Sequence, residues 1–169
     1  MALIVEDGSI VPNADSYVSL ADARTLAARY NLSLPADDTE AEAALRNGAV
    51  YISLQEPMMC GSRVSPLQEL SFPRQGVTLY GYPVASDSIP AQVIRAQVIA
   101  AVEYGNGTDV RASTDGRATS MERVEGAVTV QYFNNGATGA TTVITAAIDA
   151  LRPFLCGLNN GSSFNVYRG

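Results

Sequence analysis

The apolar positions of this chain change their period twice, and those changes divide it. Around 89–104 the side chains of Val93, Ile94, Val98, Ile99, Ala101 and Val102 leave only Gln92, Arg95, Gln97 and Glu103 polar. A helix without a polar face belongs inside a protein or between subunits, so this segment is predicted to be the central core helix. Its length of about 24 Å is too short to span a bilayer. The stretch before it carries Pro73, Gly76, Gly81 and Pro83, residues that resist regular structure. It is predicted to be a packed, aromatic-rich loop ending at Asp87-Ser88-Ile89-Pro90, a helix start signal.

The remaining elements follow from the same patterning. Ala2 to Val5 reads as a short strand or extended segment. Ser19-Leu20-Ala21-Asp22 is close to a capping box, predicting a helix to about Tyr30 with Leu20, Ala23, Ala27 and Tyr30 on one face. Asp38 or Thr39 is expected to cap a second helix to about Leu54, where Ala41, Ala44, Leu45, Ala49 and Ile52 recur at helical spacing. Gly48 lies inside that helix and weakens it by about 1 kcal/mol relative to Ala, which a close helix crossing would explain. Ser65-Pro66 is expected to open a short helical turn to Leu70. Gly105-Asn106-Gly107 stops the central helix. Val124, Val128, Val130 and Tyr132 then alternate with polar residues, the pattern of a half-buried strand. Thr141 or Thr142 is expected to cap a last helix carrying Ile144, Ala147, Ile148 and Leu151, which Pro153 ends or kinks. The fold class is therefore mainly α: a small bundle of three to four helices with a late β segment or hairpin and an extended C-terminal arm. One domain is expected over about 1–156, with the helical core near 16–105, the β segment near 119–133 and the last helix near 142–155. The arm, 157–169, holds Phe164, Val166, Tyr167 and Arg168 behind a Gly/Asn/Ser-rich run.

Composition narrows the chemistry. The formal net charge is -6, and every basic residue is an arginine; Lys and His are absent. Such a chain disfavours generalised coating of nucleic acid, although a local arginine cluster can override the average. Without His or Lys there is no Ser–His, Cys–His or Ser–Lys nucleophile, and no phosphate-binding glycine motif is present. Asp37, Asp38, Glu40 and Glu42 sit at a helix start, where capping and the helix dipole account for them. The chain is read as a non-enzyme with no catalytic residues, no cofactor and no metal site. Cys60 and Cys156 fit no zinc or redox spacing. They are expected to be buried or free thiols, with a disulfide as the alternative. The opening residues carry no signal-peptide pattern, so a cytoplasmic site of synthesis is expected. Arg63, Arg74 and Arg95 are expected to pair with nearby Glu69, Asp87 or Glu103, with phosphate contact as the other reading. Phe72, Tyr80 and Tyr82 are expected to pack, although such side chains also stack on bases in single-strand binders.

Two stretches bear a family resemblance. Val5-Glu6-Asp7-Gly8 with Asn13-Ala14-Asp15-Ser16-Tyr17-Val18-Ser19, and Leu70-Ser71-Phe72-Pro73-Arg74-Gln75-Gly76-Val77 followed by Gly81-Tyr82-Pro83 and Ile89-Pro90, resemble the two signatures of tailed-phage head–tail adaptor proteins. Part of that family is catalogued as DnaT-like single-stranded-DNA-binding proteins. Phe72 stands where Trp is common, and Leu79-Tyr80 where acidic residues often stand. The resemblance implies a structural virion protein of the phage neck, made in the host cytoplasm. It would form a homo-oligomeric, dodecameric ring between portal and tail proteins, through which DNA passes without specific binding and with no membrane involved. The interaction residues it suggests are Phe72, Arg74, Tyr80, Tyr82, Phe164, Val166, Tyr167 and Arg168. The alternative function is single-stranded-DNA binding.

Overall fold

The computed structural model describes residues 2–108, 121–123, 129–131 and 144–156. The expected arm and the expected caps Thr141 and Thr142 lie outside them. Helix α1 spans Leu20–Arg29 and is capped by Ser19, whose hydroxyl accepts the Asp22 N–H at 3.2 Å. Helix α2 spans Asp38–Leu54. Its cap is Asp37, one residue earlier than expected, because the Asp37 carboxylate accepts the Glu40 N–H at 3.0 Å. Helix α3 spans Ala91–Gly105 with Pro90 at its cap position; neither Asp87 nor Ser88 caps it, and the Ser88 hydroxyl instead donates to the Ala85 carbonyl at 2.9 Å. Helix α4 spans Thr145–Leu151 and runs into a 3-10 turn, Arg152–Phe154, where Pro153 stops the α-helix.

Among the described residues, three antiparallel two-stranded pairs accompany the helices of this mainly helical fold: β1 (Ser62–Arg63) with β2 (Arg74–Gln75), β3 (Thr78–Leu79) with β4 (Tyr82–Pro83), and β5 (Met121–Arg123) with β6 (Thr129–Gln131). Of the expected late strand, Val130 lies in β6, which pairs with β5 ahead of it, and Val124, Val128 and Tyr132 lie outside the described residues. The short helical turn expected over 65–70 is absent, since that stretch forms turns without helix; of the two readings of 2–5 the strand is not formed, and Val5 makes a single bridge to Ser16.

Helix α3 is the middle of the bundle. Its Val93, Ala96, Gln97, Val98, Ala100, Ala101 and Val102 are buried, against α2, α4 and α1. The crossing with α2 is close because Gly48 has no side chain: a Cβ there would stand 2.5 Å from the Gln97 carbonyl oxygen. The interior has two parts. One gathers Tyr17, Ile52, Phe72, Val93, Leu151 and Phe154; the other packs Ala23 and Ala27 of α1 against Leu45, Val98 and Ala101. Among the described residues no helix is long and apolar enough to cross a membrane.

Gln97, fully buried, joins three segments. Its amide oxygen accepts the Tyr17 N–H at 2.9 Å, and its amide nitrogen donates to Ser16 Oγ at 2.8 Å and to the Leu45 carbonyl at 2.9 Å. The Glu6 carboxylate, also buried, accepts the N–H groups of Gly8, Ile10 and Val11 at 2.8, 3.0 and 2.9 Å. Gly8 has φ 108°, and a Cβ there would fall 2.0 Å from the Asp87 carbonyl oxygen. The Val5–Gly8 motif therefore seats the N-terminal loop on the turn that precedes α3.

Candidate nucleic-acid interface

The loop between α2 and α3 is built around one carboxylate. The β1–β2 register places Arg63 directly opposite Arg74, an arrangement that repels by itself. Glu56, from the 3-10 turn Glu56–Met58, resolves it. Its two oxygens accept Arg63 Nε at 2.6 Å and Nη2 at 2.7 Å, and Oε1 also meets Arg74 Nη1 at 3.3 Å. The hydrogen bonds from Arg63, helped by the charges of Arg63 and Arg74, hold the Glu56 carboxyl below the usual carboxylate range. Arg74 is only 5% exposed and also donates to the carbonyls of Cys60, Gly61 and Ser71 at 2.8, 2.9 and 3.3 Å. The ion-pair reading of Arg63 and Arg74 holds, but the partner is Glu56 rather than Glu69, Asp87 or Glu103.

Phe72 is 1% exposed. It packs edge-on between Tyr17 and Phe154, with ring centroids 6.5 and 5.5 Å away, and its N–H donates to the Tyr17 hydroxyl at 3.1 Å. Burial drives the Tyr17 phenol upward from its ordinary pKa, so it stays neutral. Cys60 and Cys156 form a disulfide across a sequence separation of 96, which corrects the expectation of free thiols. Flanking backbone bonds, Cys60 N–H to the Phe154 carbonyl at 2.7 Å and Cys156 N–H to the Met58 carbonyl at 2.9 Å, explain how two distant residues come to face each other. Sequence spacing alone carries no trace of this pairing.

From this fixed base the β3–β4 hairpin projects. Its two-residue tip is Tyr80-Gly81, with φ values of 52° and 88°, the positive pair that a tight hairpin turn requires. Val77 at its root is buried, and the Val84 N–H closes onto the Val77 carbonyl at 2.9 Å. Tyr80 and Tyr82 are 78% and 76% exposed. Against the expectation that all three aromatics pack, Tyr80 and Tyr82 stand on the surface, whereas Phe72 and Arg74 are buried. Phe164, Val166, Tyr167 and Arg168 lie outside the described residues.

Elsewhere, a cleft of about 890 Å³ opens between α1, the Val5–Gly8 loop and the start of α3. Val18, Leu26, Ile89 and Ile94 supply apolar lining, and Arg29 and Arg95 are on its wall. Arg95 lies over the ring of half-exposed Tyr30, 5.2 Å from its centroid, a cation–π contact. The sequence pattern puts Tyr30 on one face with Leu20, Ala23 and Ala27 and pairs Arg95 with a carboxylate; in the structure Arg95 and Tyr30 are each other's partner at the surface. Only the i, i+3, i+7 spacing of Asp22, Thr25 and Arg29 could have signalled that a second face of α1 lines a cleft.

A model of the family described as "Putative DnaT-like ssDNA binding protein" matches residues 1–169. No curated protein and no solved structure matches. The full-length match overturns the expectation of a head–tail adaptor, and with it the ring, the portal and tail partners, the place in a virion neck and the passive passage of DNA. Its description is that of a binding protein, not an enzyme. The adaptor expectation rested on the resemblance of the two signatures; the reading of α3 as the central core helix holds, with α1, α2 and α4 packed against it.

Proposed function

We propose, since the chain belongs along its whole length to the DnaT-like single-stranded-DNA-binding family, that it holds single-stranded DNA by stacking bases on the β3–β4 hairpin. The observation that carries this reading is the exposure of Tyr80 and Tyr82 on a tip whose backbone is set by positive φ values. An aromatic ring held in place loses little freedom when a base stacks on it, and stacking does not depend on base identity. Duplex DNA offers no free base faces, so single strands are preferred. The formal charge of -6 means that long-range attraction contributes little, and binding is led by contact rather than by steering.

The test is fluorescence anisotropy of a labelled oligothymidylate against wild type and the Tyr80→Ala/Tyr82→Ala double variant. Stacking contributes about 1–3 kcal/mol per base, so each lost ring should weaken binding roughly five- to 150-fold. A double variant that binds as tightly as wild type, or a wild type that prefers duplex, would refute the reading.

A further inference from the structure

Most arginines with described side chains are already engaged. Arg24 meets Asp38 at 2.7 Å, Arg46 meets Asp15 at 2.6 Å, Arg63 and Arg74 share Glu56, and Arg152 stands 3.7 Å from Asp149. Among the described residues, Arg29 and Arg95 have no carboxylate within salt-bridge distance. These two line the same cleft, and the Arg95–Tyr30 stack gathers them at the C-terminal end of α1. The lining also carries Glu6, Asp7, Asp22 and Asp87, and Glu6 is already committed to three backbone N–H groups, so the two guanidinium groups beside the exposed Tyr30 ring are the cationic part of an otherwise acidic cleft.

We infer that Arg29 and Arg95 form a phosphate-contact site for single-stranded DNA, with Tyr30 as a stacking surface beside it. This inference rests on the single-strand reading above and adds a second, electrostatic contact to the aromatic hairpin. Guanidinium groups are suited to the role because their planar donors match phosphate oxygens and remain charged at all working pH values. The cleft also has acidic walls. Asp22 lies about 10 Å from Arg29 along α1, and Asp7 and Asp87 line the region where Gly8 meets the turn before α3. Ser9 holds the Asp7 carboxyl ionised by donating its hydroxyl hydrogen bond at 2.6 Å. These carboxylates repel a sugar–phosphate chain, so the strand is confined to the Tyr30 side of the cleft and does not run its length.

The signature of phosphate contact is salt dependence. Each neutralised phosphate of a single strand contributes a slope of about -0.7 in log K against log salt. Two contacts therefore give about -1.4, or a roughly sevenfold loss of affinity between about 50 and 200 mM salt. The experiment measures oligothymidylate binding by anisotropy across that salt range for wild type, Arg29→Gln/Arg95→Gln, Arg29→Lys/Arg95→Lys and Tyr80→Ala/Tyr82→Ala, with circular dichroism melts confirming the fold of each. The glutamine pair should flatten the slope by about 1.4 and the lysine pair should restore it. The tyrosine pair should lower affinity at every salt with the slope unchanged. A glutamine pair that keeps the wild-type slope while the oligonucleotide still binds overturns the phosphate site and leaves the hairpin reading standing. A wild type that does not bind the oligonucleotide at all overturns both.

Discussion

Replacing Gln97 with methionine isolates the hydrogen bonds that tie α3 to the rest of the core. Methionine has nearly the same length and flexibility, so it leaves little cavity. What it removes is defined by the geometry. Ser16 Oγ keeps its bonds to the Val18 backbone at 2.7 and 3.2 Å, and the Leu45 carbonyl, inside α2, keeps its helical partner. The Tyr17 N–H, 2.9 Å from the glutamine oxygen, is left buried with no acceptor. An orphaned buried donor costs about 1–3 kcal/mol. Taking about 2 kcal/mol, the melting temperature of a chain this size should fall by about 4–8 °C. Urea unfolding is the more direct assay: the midpoint should drop while the slope stays constant, because the same surface is exposed on unfolding. Ser16→Ala removes the acceptor of both the glutamine NH2 and the buried Val18 N–H, so it should cost a comparable amount, about 1–3 kcal/mol. A Gln97→Met protein as stable as wild type would show that the Tyr17 amide finds another partner and that this side chain does not organise the core.

Three further outcomes follow from the geometry. Glu56 has a carboxyl whose pKa is lowered in the fold, so its stabilisation is present above the unfolded carboxylate value of about 4.3 and is lost as pH falls through the lower folded value. Glu56→Gln should cost about 1.5–3 kcal/mol at neutral pH and should flatten the acid limb of a stability–pH profile; an unchanged acid limb would place the acid sensitivity elsewhere. Reducing the Cys60–Cys156 bridge, or replacing Cys156 with Ser, should lower unfolding stability by about 2–4 kcal/mol, read as a melting shift that dithiothreitol produces in wild type and not in the variant. Gly8→Ala must place a Cβ where the Asp87 carbonyl stands at a φ that L-residues avoid, for a cost of about 2–4 kcal/mol by denaturant titration; a neutral result would mean the 85–88 turn yields freely.

The helices were legible because their signals are local. The Ser19 cap, the apolar spacing of α2 and the unbroken apolar surface of α3 each fix an element within a few residues. Even the reason for Gly48 could be read, since a small residue inside a helix argues for a near neighbour. What could not be read depends on partners far apart in sequence. Gln97 looked like one of four polar interruptions on α3 and proved to be bonded to residues 52 and 81 positions away. The disulfide and the contact of Phe72 with Phe154 join segments that no periodic pattern links. The interface divided in the same way. Tyr80 and Tyr82 could be nominated from their loop, but Arg29, Tyr30 and Arg95 become a group only when α1 and α3 are laid side by side.

The union of residue 60 with residue 156 has a consequence for the order in which the protein matures on the ribosome. Strand β3 rests on the turn that holds Phe154, and the buried Phe154 ring packs edge-on against Phe72. A nascent chain that has released only its first three helices therefore lacks the footing on which its aromatic fingertip stands. If the hairpin serves as proposed, its footing is complete only after α4 and the turn behind it have emerged and docked.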